Sequence, residues 1–435
     1  MTGRQEKKRY AIVGASHRTM KMFMGPLLQT YCDVGELVAL VDIDLERIAT
    51  LNRMFEAEVP AYAADDFDRM IAEQRPDVAI VASMDATHHI YIVRALEHGL
   101  DVISEKPLTT DEAKCCAILA AEKESKGQVV VTFNYRYSPK ATRIRELILE
   151  GVVGKVVNVD LNWYLDTYHG SSYFMRWNRR RECSGGLNVH KATHHFDLVR
   201  WWIDQKPVEV FAYGARNYYG PDGPRNPSRK DGRHCPTCPE RAQCDYYMRW
   251  HRDEWRGAPS GVALDEHVSG LQELDHYEAY DARRCIFDSE VNIEDTYSAV
   301  VKYDGGATLT YSLNASAPFE GFRLGINGLD GRLETESIGG GVRSPLPRRE
   351  PQPIRWFPLF GGCHEIHPPK GVGGHGGGDP LLLDDLFRGP DPHTEVQRQA
   401  PLMDGVLSVL TGVAVHRSLN EHRPVTIAEL LTAAS

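Results

Sequence analysis

Short, nearly unbroken apolar runs punctuate the first third of the chain: Tyr10-Ala11-Ile12-Val13, Leu37-Val38-Ala39-Leu40-Val41, Val78-Ala79-Ile80-Val81-Ala82, Asp101-Val102-Ile103-Ser104 and Val129-Val130-Val131-Thr132-Phe133. A strand that is apolar at consecutive positions is covered on both faces, and the amphipathic stretches between the runs are the helices that cover it. The pattern predicts strand-helix-strand units and a parallel sheet. After Tyr135-Arg136-Tyr137-Ser138-Pro139 the period changes to two, as in Val156-Val157-Asn158-Val159-Asp160-Leu161-Asn162-Trp163 and Thr296-Tyr297-Ser298-Ala299-Val300-Val301-Lys302-Tyr303. Such alternation predicts an open, largely antiparallel sheet. A Pro-, Arg- and Cys-rich stretch from Pro221 to Pro259 and a Gly/Pro-rich stretch from Gly339 to Pro380 read as loops. The periodic segment from Leu402 to Leu419 predicts a helix that packs back on the body, followed by a short edge at Pro424-Val425-Thr426.

At 435 residues the chain exceeds what one hydrophobic core organises, so two domains are expected. A composition of 42% hydrophobic and 25% charged residues is that of a globular chain. The formal net charge of -10 offers no basic field to a phosphate backbone, which argues against a nucleic-acid partner. The charged start from Met1 to Arg9 runs into the first strand without an apolar signal core, and no spanning segment follows. A cytoplasmic protein with no membrane partner is expected. There, nine cysteines point to thiols or metal ligation in preference to a disulfide framework.

The first strand feeds Gly14-Ala15-Ser16-His17-Arg18-Thr19, where a dinucleotide fingerprint would hold three glycines and only the first is present. Gly14 permits the tight turn, Ser16 allows close approach of a pyrophosphate, and His17 and Arg18 join them on the cofactor side. The second strand ends at Asp42, whose carboxylate can accept both ribose hydroxyls and would repel a 2′-phosphate, so NAD is expected in preference to NADP. Capping of the next helix is the alternative for Asp42, a role equally open to Asp44. The predicted architecture is α/β: a Rossmann dinucleotide-binding domain over residues 1–134, then a substrate-binding and oligomerisation α/β domain over residues 135–435 with a Cys-rich insertion over residues 221–260.

In Glu105-Lys106-Pro107 a strand stops against proline, which presents Lys106 on a fixed backbone. In a crevice shared by a nicotinamide and a sugar, its ammonium can hydrogen-bond the reacting oxygen and stabilise an alkoxide. A surface lysine paired with Glu105 is the plainer alternative. Taken in order, Asp85-Ala86-Thr87-His88, Glu105-Lys106-Pro107, Asn134-Tyr135-Arg136 and the Gly185-Gly186 helix start together resemble the glucose-fructose oxidoreductase / inositol dehydrogenase / MocA family, from about Tyr10 to Tyr311. The resemblance implies NAD(P)-linked redox chemistry on sugars or cyclitols, and an open sheet that often forms the interface of a homodimer or homotetramer. It implies that Lys106 is the catalytic lysine and that His194, eight residues after the second glycine, is the catalytic histidine. Asp85, His88 and Glu105 join Lys106 on the cofactor side, and Arg136 falls on the substrate side.

One departure from the family concerns His190, followed by Lys191, where Asp is common four residues before the histidine. Leu187, His190, His194 and Asp197 share a helical stripe, yet two imidazoles supply no fixed negative charge, so proton shuttling must be rearranged. The pair His190 and His194 reads as substrate-binding imidazoles, as ligands of a divalent metal, or as satisfied core histidines. His195, off the stripe, reads as structural. Lys191, Trp177 with its neighbours Tyr164 and Arg176, and the loop residues His375 and Asp379 are further substrate candidates, the last two set against a plain linker with a helix cap.

Thiolates from Cys235, Cys238, Cys244 and Cys285 would close a tetrahedral zinc site that staples the insertion, with His234 as a substitute ligand. An iron-sulfur cluster or plain reduced thiols are the alternatives. Three functions fit the whole: an NAD-dependent dehydrogenase acting on a secondary hydroxyl of a sugar, cyclitol or glycoside; an enzyme that retains NAD and uses transient oxidation for elimination or epimerisation; and a non-catalytic NAD-dependent binding or regulatory protein. Lys106 together with His194 favours the first two.

Overall fold

The computed structural model describes residues 7–251, 284–338 and 352–433. The parts of the two predicted loops that fall on residues 252–260 and 339–351 lie outside these. The first sheet contains the parallel strands β1 (Lys8–Val13), β2 (Gly35–Asp42), β3 (Ala61–Ala63), β4 (Val78–Val81), β5 (Asp101–Ser104) and β6 (Val129–Val131). Their order is β3-β2-β1-β4-β5-β6. The winding reverses between β1 and β4, and such a switch point leaves a ligand crevice outside the carboxyl ends of the strands. Every residue of β4 is buried. Burial on both faces explains why the sequence shows runs there in place of alternation. β3 was not expected, because Ala61-Tyr62-Ala63 is too short to make an apolar run.

The second sheet contains β7 (Val156–Asp166), β8 (Pro207–Ala215), β9 (Thr296–Tyr303), β10 (Thr308–Ala317), β11 (Gly321–Gly328), β12 (Gly331–Ile338), β13 (Ile354–Pro358) and β14 (His364–Ile366). Among its pairs in the described residues only β7 with β10 is parallel; the rest are antiparallel. Along β9, Tyr297, Ala299, Val301 and Tyr303 point inward while Val300 is 49% exposed, the alternation expected of a sheet with one covered face. β13 and β14 correct the loop reading of their stretch. Two short strands between glycines and prolines carry little pattern of their own and are held by pairing with β12 and with each other.

After residue 377 the chain returns to the first sheet. The helix Gly378–Arg388 sets Phe387 against Tyr10 and Tyr31, with ring centroids 5.3 and 5.0 Å apart. β15 (Ala400–Pro401) then adds a seventh, antiparallel strand beside β6. The expected C-terminal helix runs Leu402–Glu421 and is followed by β16 (Val425–Thr426), which edges the second sheet beside β8. No helix among the described residues is long and apolar enough to cross a membrane.

Two expectations are corrected at this level. Arg136, expected at the substrate, is 1% exposed. Its Nε and Nη2 donate to Asp197 at 2.8 and 2.5 Å, and Nη2 also donates to Asp404 at 2.7 Å. A buried guanidinium persists only with such compensation. Arg136 therefore ties the turn after β6 to the helix Thr193–Ile203 and to the C-terminal helix. The four insertion cysteines Cys235, Cys238, Cys244 and Cys285 are all buried, and all nine cysteines are free. Burial first, then the neighbouring thiols, pushes Cys235 up to about 12, and burial pushes Cys285 up to about 11. Yet among the described residues no three His, Cys, Asp or Glu side chains are arranged to hold a metal ion. The expected zinc site is therefore not supported, although the charges of Cys285, Cys244 and Cys238 all act on Cys235.

Candidate active site

The turn after β1 is shaped for close approach. Gly14 has φ +100°, and a Cβ there would lie 2.5 Å from the Ala82 carbonyl oxygen, so only glycine fits. Ser16 caps the next helical turn by accepting from the Thr19 N–H at 3.2 Å. Asp42, 5% exposed, braces the turn: Oδ2 accepts from the Ala15 N–H at 2.6 Å and Oδ1 from the Asp44 N–H at 2.9 Å, with Arg47 at 3.5 Å. The capping role falls to Asp44, which accepts from the Glu46 N–H at 3.0 Å. A glycine-lined turn after the first strand, backed by a carboxylate at the end of the second, fits a dinucleotide such as NAD. His17 and Arg18 are half-buried beside this turn, and Arg18 Nε donates to Glu105 at 2.8 Å. Glu105 is thus engaged by Arg18 and is itself buried. His88 is 1% exposed, with its ring nitrogens 2.9 Å from the Pro107 carbonyl and 3.0 Å from the Ser83 carbonyl. Both contacts point to a brace for the Lys106 loop in place of the expected cofactor contact.

Lys106 projects from the loop after β5 and donates to the His190 carbonyl at 3.3 Å. Burial lowers its pKa to about 8; Asp85 opposes the shift and Lys191 adds to it. The stripe expected for His190 and His194 is interrupted. A single helical turn, Leu187–His190, ends at Lys191, and a new helix begins at Thr193. The two imidazoles therefore face different partners. His190 Nδ1 lies 2.5 Å from Oδ2 of Asp85, which sits in the turn after β4. Burial, reinforced by Lys106, lowers the His190 pKa despite Asp85, so the neutral ring donates Nδ1–H to the carboxylate. On its other side Asn178 Nδ2 stands 3.3 Å from Nε2, with the rings of Tyr173 and Trp177 at 5.4 and 5.7 Å. The fixed negative charge missing from the helix is supplied from the first domain.

His194, 2% exposed, packs edge-on against Tyr135 with ring centroids 4.7 Å apart, and its Nδ1 has no hydrogen-bond partner among the described residues. Burial, then Lys106 and Lys191, holds its pKa well below the usual imidazole value. His195 is buried as expected, 2.8 Å from the Tyr311 hydroxyl and stacked on Trp163. His375 also meets Tyr135, at 5.2 Å, and lies 6.1 Å from His194. Its Nδ1 is 3.0 Å from Asp379, whose Oδ1 accepts from Asn134 Nδ2 at 2.7 Å. A Cβ on Gly378 would run into the Asn134 carbonyl, so the loop docks on the turn after β6 only as glycine. Burial acts to raise the Asp379 carboxyl, but His375, Arg18 and Asn134 together outweigh it and the pKa falls below the usual value.

Lys106, His190, His194, Lys191, Trp177, His375 and Asp379 come together as the sequence suggests. The metal reading of His190 and His194 gains no support, since His190 is engaged by Asp85 and no three ligands converge among the described residues. Sequence reasoning missed Tyr135, around which His194, His375 and Trp163 gather, and Asp85 as a partner of His190. Both lie inside motifs that had been noticed for other reasons. It also missed a relay beside them, in which His169 joins Glu320 at 2.7 Å to the Tyr173 hydroxyl at 3.0 Å.

Comparison with known proteins agrees with this geometry. The sequence profile described as an oxidoreductase-family NAD-binding Rossmann fold matches residues 8–133, and the one described as the C-terminal alpha/beta domain of the same family matches residues 145–427. The chain is 48% identical over 426 residues to YteT of Bacillus subtilis, whose name places it among oxidoreductases and states no substrate; the match covers 97% of this chain and 98% of that protein. It is 28% identical over 186 residues to an inositol 2-dehydrogenase of Rubrobacter xylanophilus, covering 41% of this chain and 48% of that one. The fold is shared with the WlbA dehydrogenase of Bordetella pertussis, solved with NADH and UDP-GlcNAcA, at a TM-score of 0.62 and 18% identity over 97% of this chain and 99% of that one. On both profiles and on its full-length relative, the chain belongs to the glucose-fructose oxidoreductase / inositol dehydrogenase / MocA family of oxidoreductases.

Proposed function

We propose that the protein is an NAD-linked oxidoreductase that oxidises a secondary hydroxyl of a sugar, cyclitol or glycoside. The observation that carries this reading is a half-buried ammonium, Lys106, whose charge acts on the buried imidazole of His194, with Nδ1 unpartnered among the described residues, beside the crevice at the strand ends. Gly14, Ser16 and Asp42 are the residues that would hold NAD, with His17 and Arg18 next to its phosphates. When bound, NAD supplies the acceptor for the hydride that leaves the carbinol carbon.

The protein's own part is to manage the proton and the charge on oxygen. Lys106, protonated below about 8, donates a hydrogen bond to the substrate oxygen and stabilises alkoxide character there. His194, held neutral, accepts the hydroxyl proton. Asp85 orients His190 by accepting from Nδ1, while Asn178 Nδ2 stands 3.3 Å from Nε2. The name of the distant inositol 2-dehydrogenase relative is consistent with a polyhydroxylated substrate.

A second reading is favoured by one specific observation: two imidazole-carboxylate pairs, His190 with Asp85 and His375 with Asp379, both feel the charge of Lys191. One dehydrogenation needs one base. Two suit an enzyme that retains its cofactor, removes the proton next to the transiently oxidised carbon, and completes an elimination or epimerisation. In either case the outward side chains of the second sheet, such as Tyr213 and Val300, are the proposed self-association surface. The test of the core reading is Lys106→Ala, which should abolish turnover and leave NAD affinity near that of the parent; undiminished activity would remove the proposal.

A further inference from the structure

Lys191 stands at the break between the two helical segments and is 4% exposed. Its Nζ lies 5.5 Å from the ring centroid of Tyr135 and 5.6 Å from that of Trp163. Among the described residues it makes no side-chain hydrogen bond and no ion pair. The carboxylates nearby are already engaged: Asp85 by His190 at 2.5 Å, Glu105 by Arg18 at 2.8 Å, Asp379 by His375 at 3.0 Å and Glu320 by His169 at 2.7 Å. Aromatic faces attract a cation but accept none of its three N–H groups, and a buried ammonium without acceptors is unfavourable. The same charge lowers the proton affinity of His194, His190 and Lys106, which locates it at the reacting pocket.

We propose that Lys191 is the recognition point for a carboxylate on the substrate, so that the protein acts on acidic sugars of the uronic-acid class in preference to neutral ones. This rests on the sugar-oxidoreductase reading above and narrows it. A carboxylate offers two charged oxygens to an ammonium with no competing acceptor, and such charge-assisted bonds are stronger than those from a neutral hydroxyl. It also acts on the chemistry. With an anion on Lys191, the part of the repulsion that Lys191 adds to burial and to Lys106 in holding His194 low is reduced, and the base gains proton affinity when the right substrate is in place.

The test uses the full-length protein with NAD and matched pairs, glucuronate with glucose and galacturonate with galactose, each also as the methyl glycoside. Binding is followed by calorimetry and turnover by mass spectrometry of the sugar. At least one acidic member should bind and react about 10²-fold better than its neutral partner, a discrimination of the size expected when a buried polar group is left unpaired by the wrong ligand. The preference should collapse in Lys191→Met, which keeps the apolar stem and removes the charge, and in Lys191→Arg it should partly persist. Equal handling of acidic and neutral partners, or a preference that survives in a folded, NAD-binding Lys191→Met, overturns the inference. Lys191-dependent uronate binding with no turnover of any sugar would keep this site and reject the oxidoreductase reading; turnover without acid preference would do the reverse.

Discussion

His190 and His375 each meet a carboxylate through Nδ1, but the two pairs are built in opposite ways. The partner of His190 is Asp85, 105 positions away, so the contact exists only when the first sheet and the second domain are packed together. Asn178, Tyr173 and Trp177 close around the other side of that ring. The partner of His375 is Asp379, four positions along the same loop, and His375 itself takes a left-handed φ of +50° between glycines. Its side chain is 31% exposed against 13% for His190. A pair closed across domains is fixed by the whole fold, whereas a local pair travels with its loop. The first suits a permanent part of the chemistry; the second suits a contact that adjusts to the substrate.

That contrast can be broken or sharpened by substitution. The largest effect belongs to Lys106: Lys106→Ala should lower kcat by about 10³-fold or more, as for loss of a group that stabilises developing oxyanion charge. Asp85→Asn should lower kcat by about 10²-fold with little change in KM, because His190 loses the acceptor that fixes its tautomer. Asp379→Asn should cost about tenfold and appear mainly in KM, as loss of uniform substrate binding does. Equal effects on kcat from Asp85→Asn and Asp379→Asn would erase the distinction between a fixed and an adaptable pair.

The pH profile separates them further. Lys106 must be protonated to donate, so kcat/KM should fall as pH rises through about 8. The acid limb should lie below the usual imidazole value, since burial lowers both His190 and His194. The negative charge of Asp85 raises the Lys106 pKa, so Asp85→Asn should move the alkaline limb to lower pH while Asp379→Asn leaves it in place. The smallest effect on the chemical step is expected far from both pairs: Asp42→Ala should weaken NAD and relax discrimination against NADP by about tenfold, about 1.4 kcal/mol, with both pH limbs unmoved. Unchanged cofactor preference would remove the ribose assignment.

Which parts of this were legible in the sequence follows from how far each interaction reaches along the chain. The strands β1, β2, β4, β5 and β6 were readable because burial on both faces writes itself into consecutive residues. Glu105-Lys106-Pro107 and the Gly185-Gly186 helix start were readable because their backbone demands are local. The break at Lys191 was not, since nothing in Val189-His190-Lys191-Ala192 forbids a continuous helix, and the site it feeds is set by packing. The pairing of Asp85 with His190, and of Arg136 with Asp197 and Asp404, depends on contacts spanning up to 268 positions, which no local pattern encodes.

The central claim is oxidation of a sugar hydroxyl at Lys106 and His194. It is tested most directly by incubating the full-length protein with NAD and a panel of aldoses, inositols, glycosides and uronides, following cofactor and sugar together by mass spectrometry. The account predicts a ketosugar formed in step with NADH, or, for the retained-cofactor variant, a cleaved or epimerised sugar without net NADH, and in both cases no product from Lys106→Ala. A folded protein that binds NAD and leaves every sugar unchanged, or a Lys106→Ala variant as active as its parent, would contradict it.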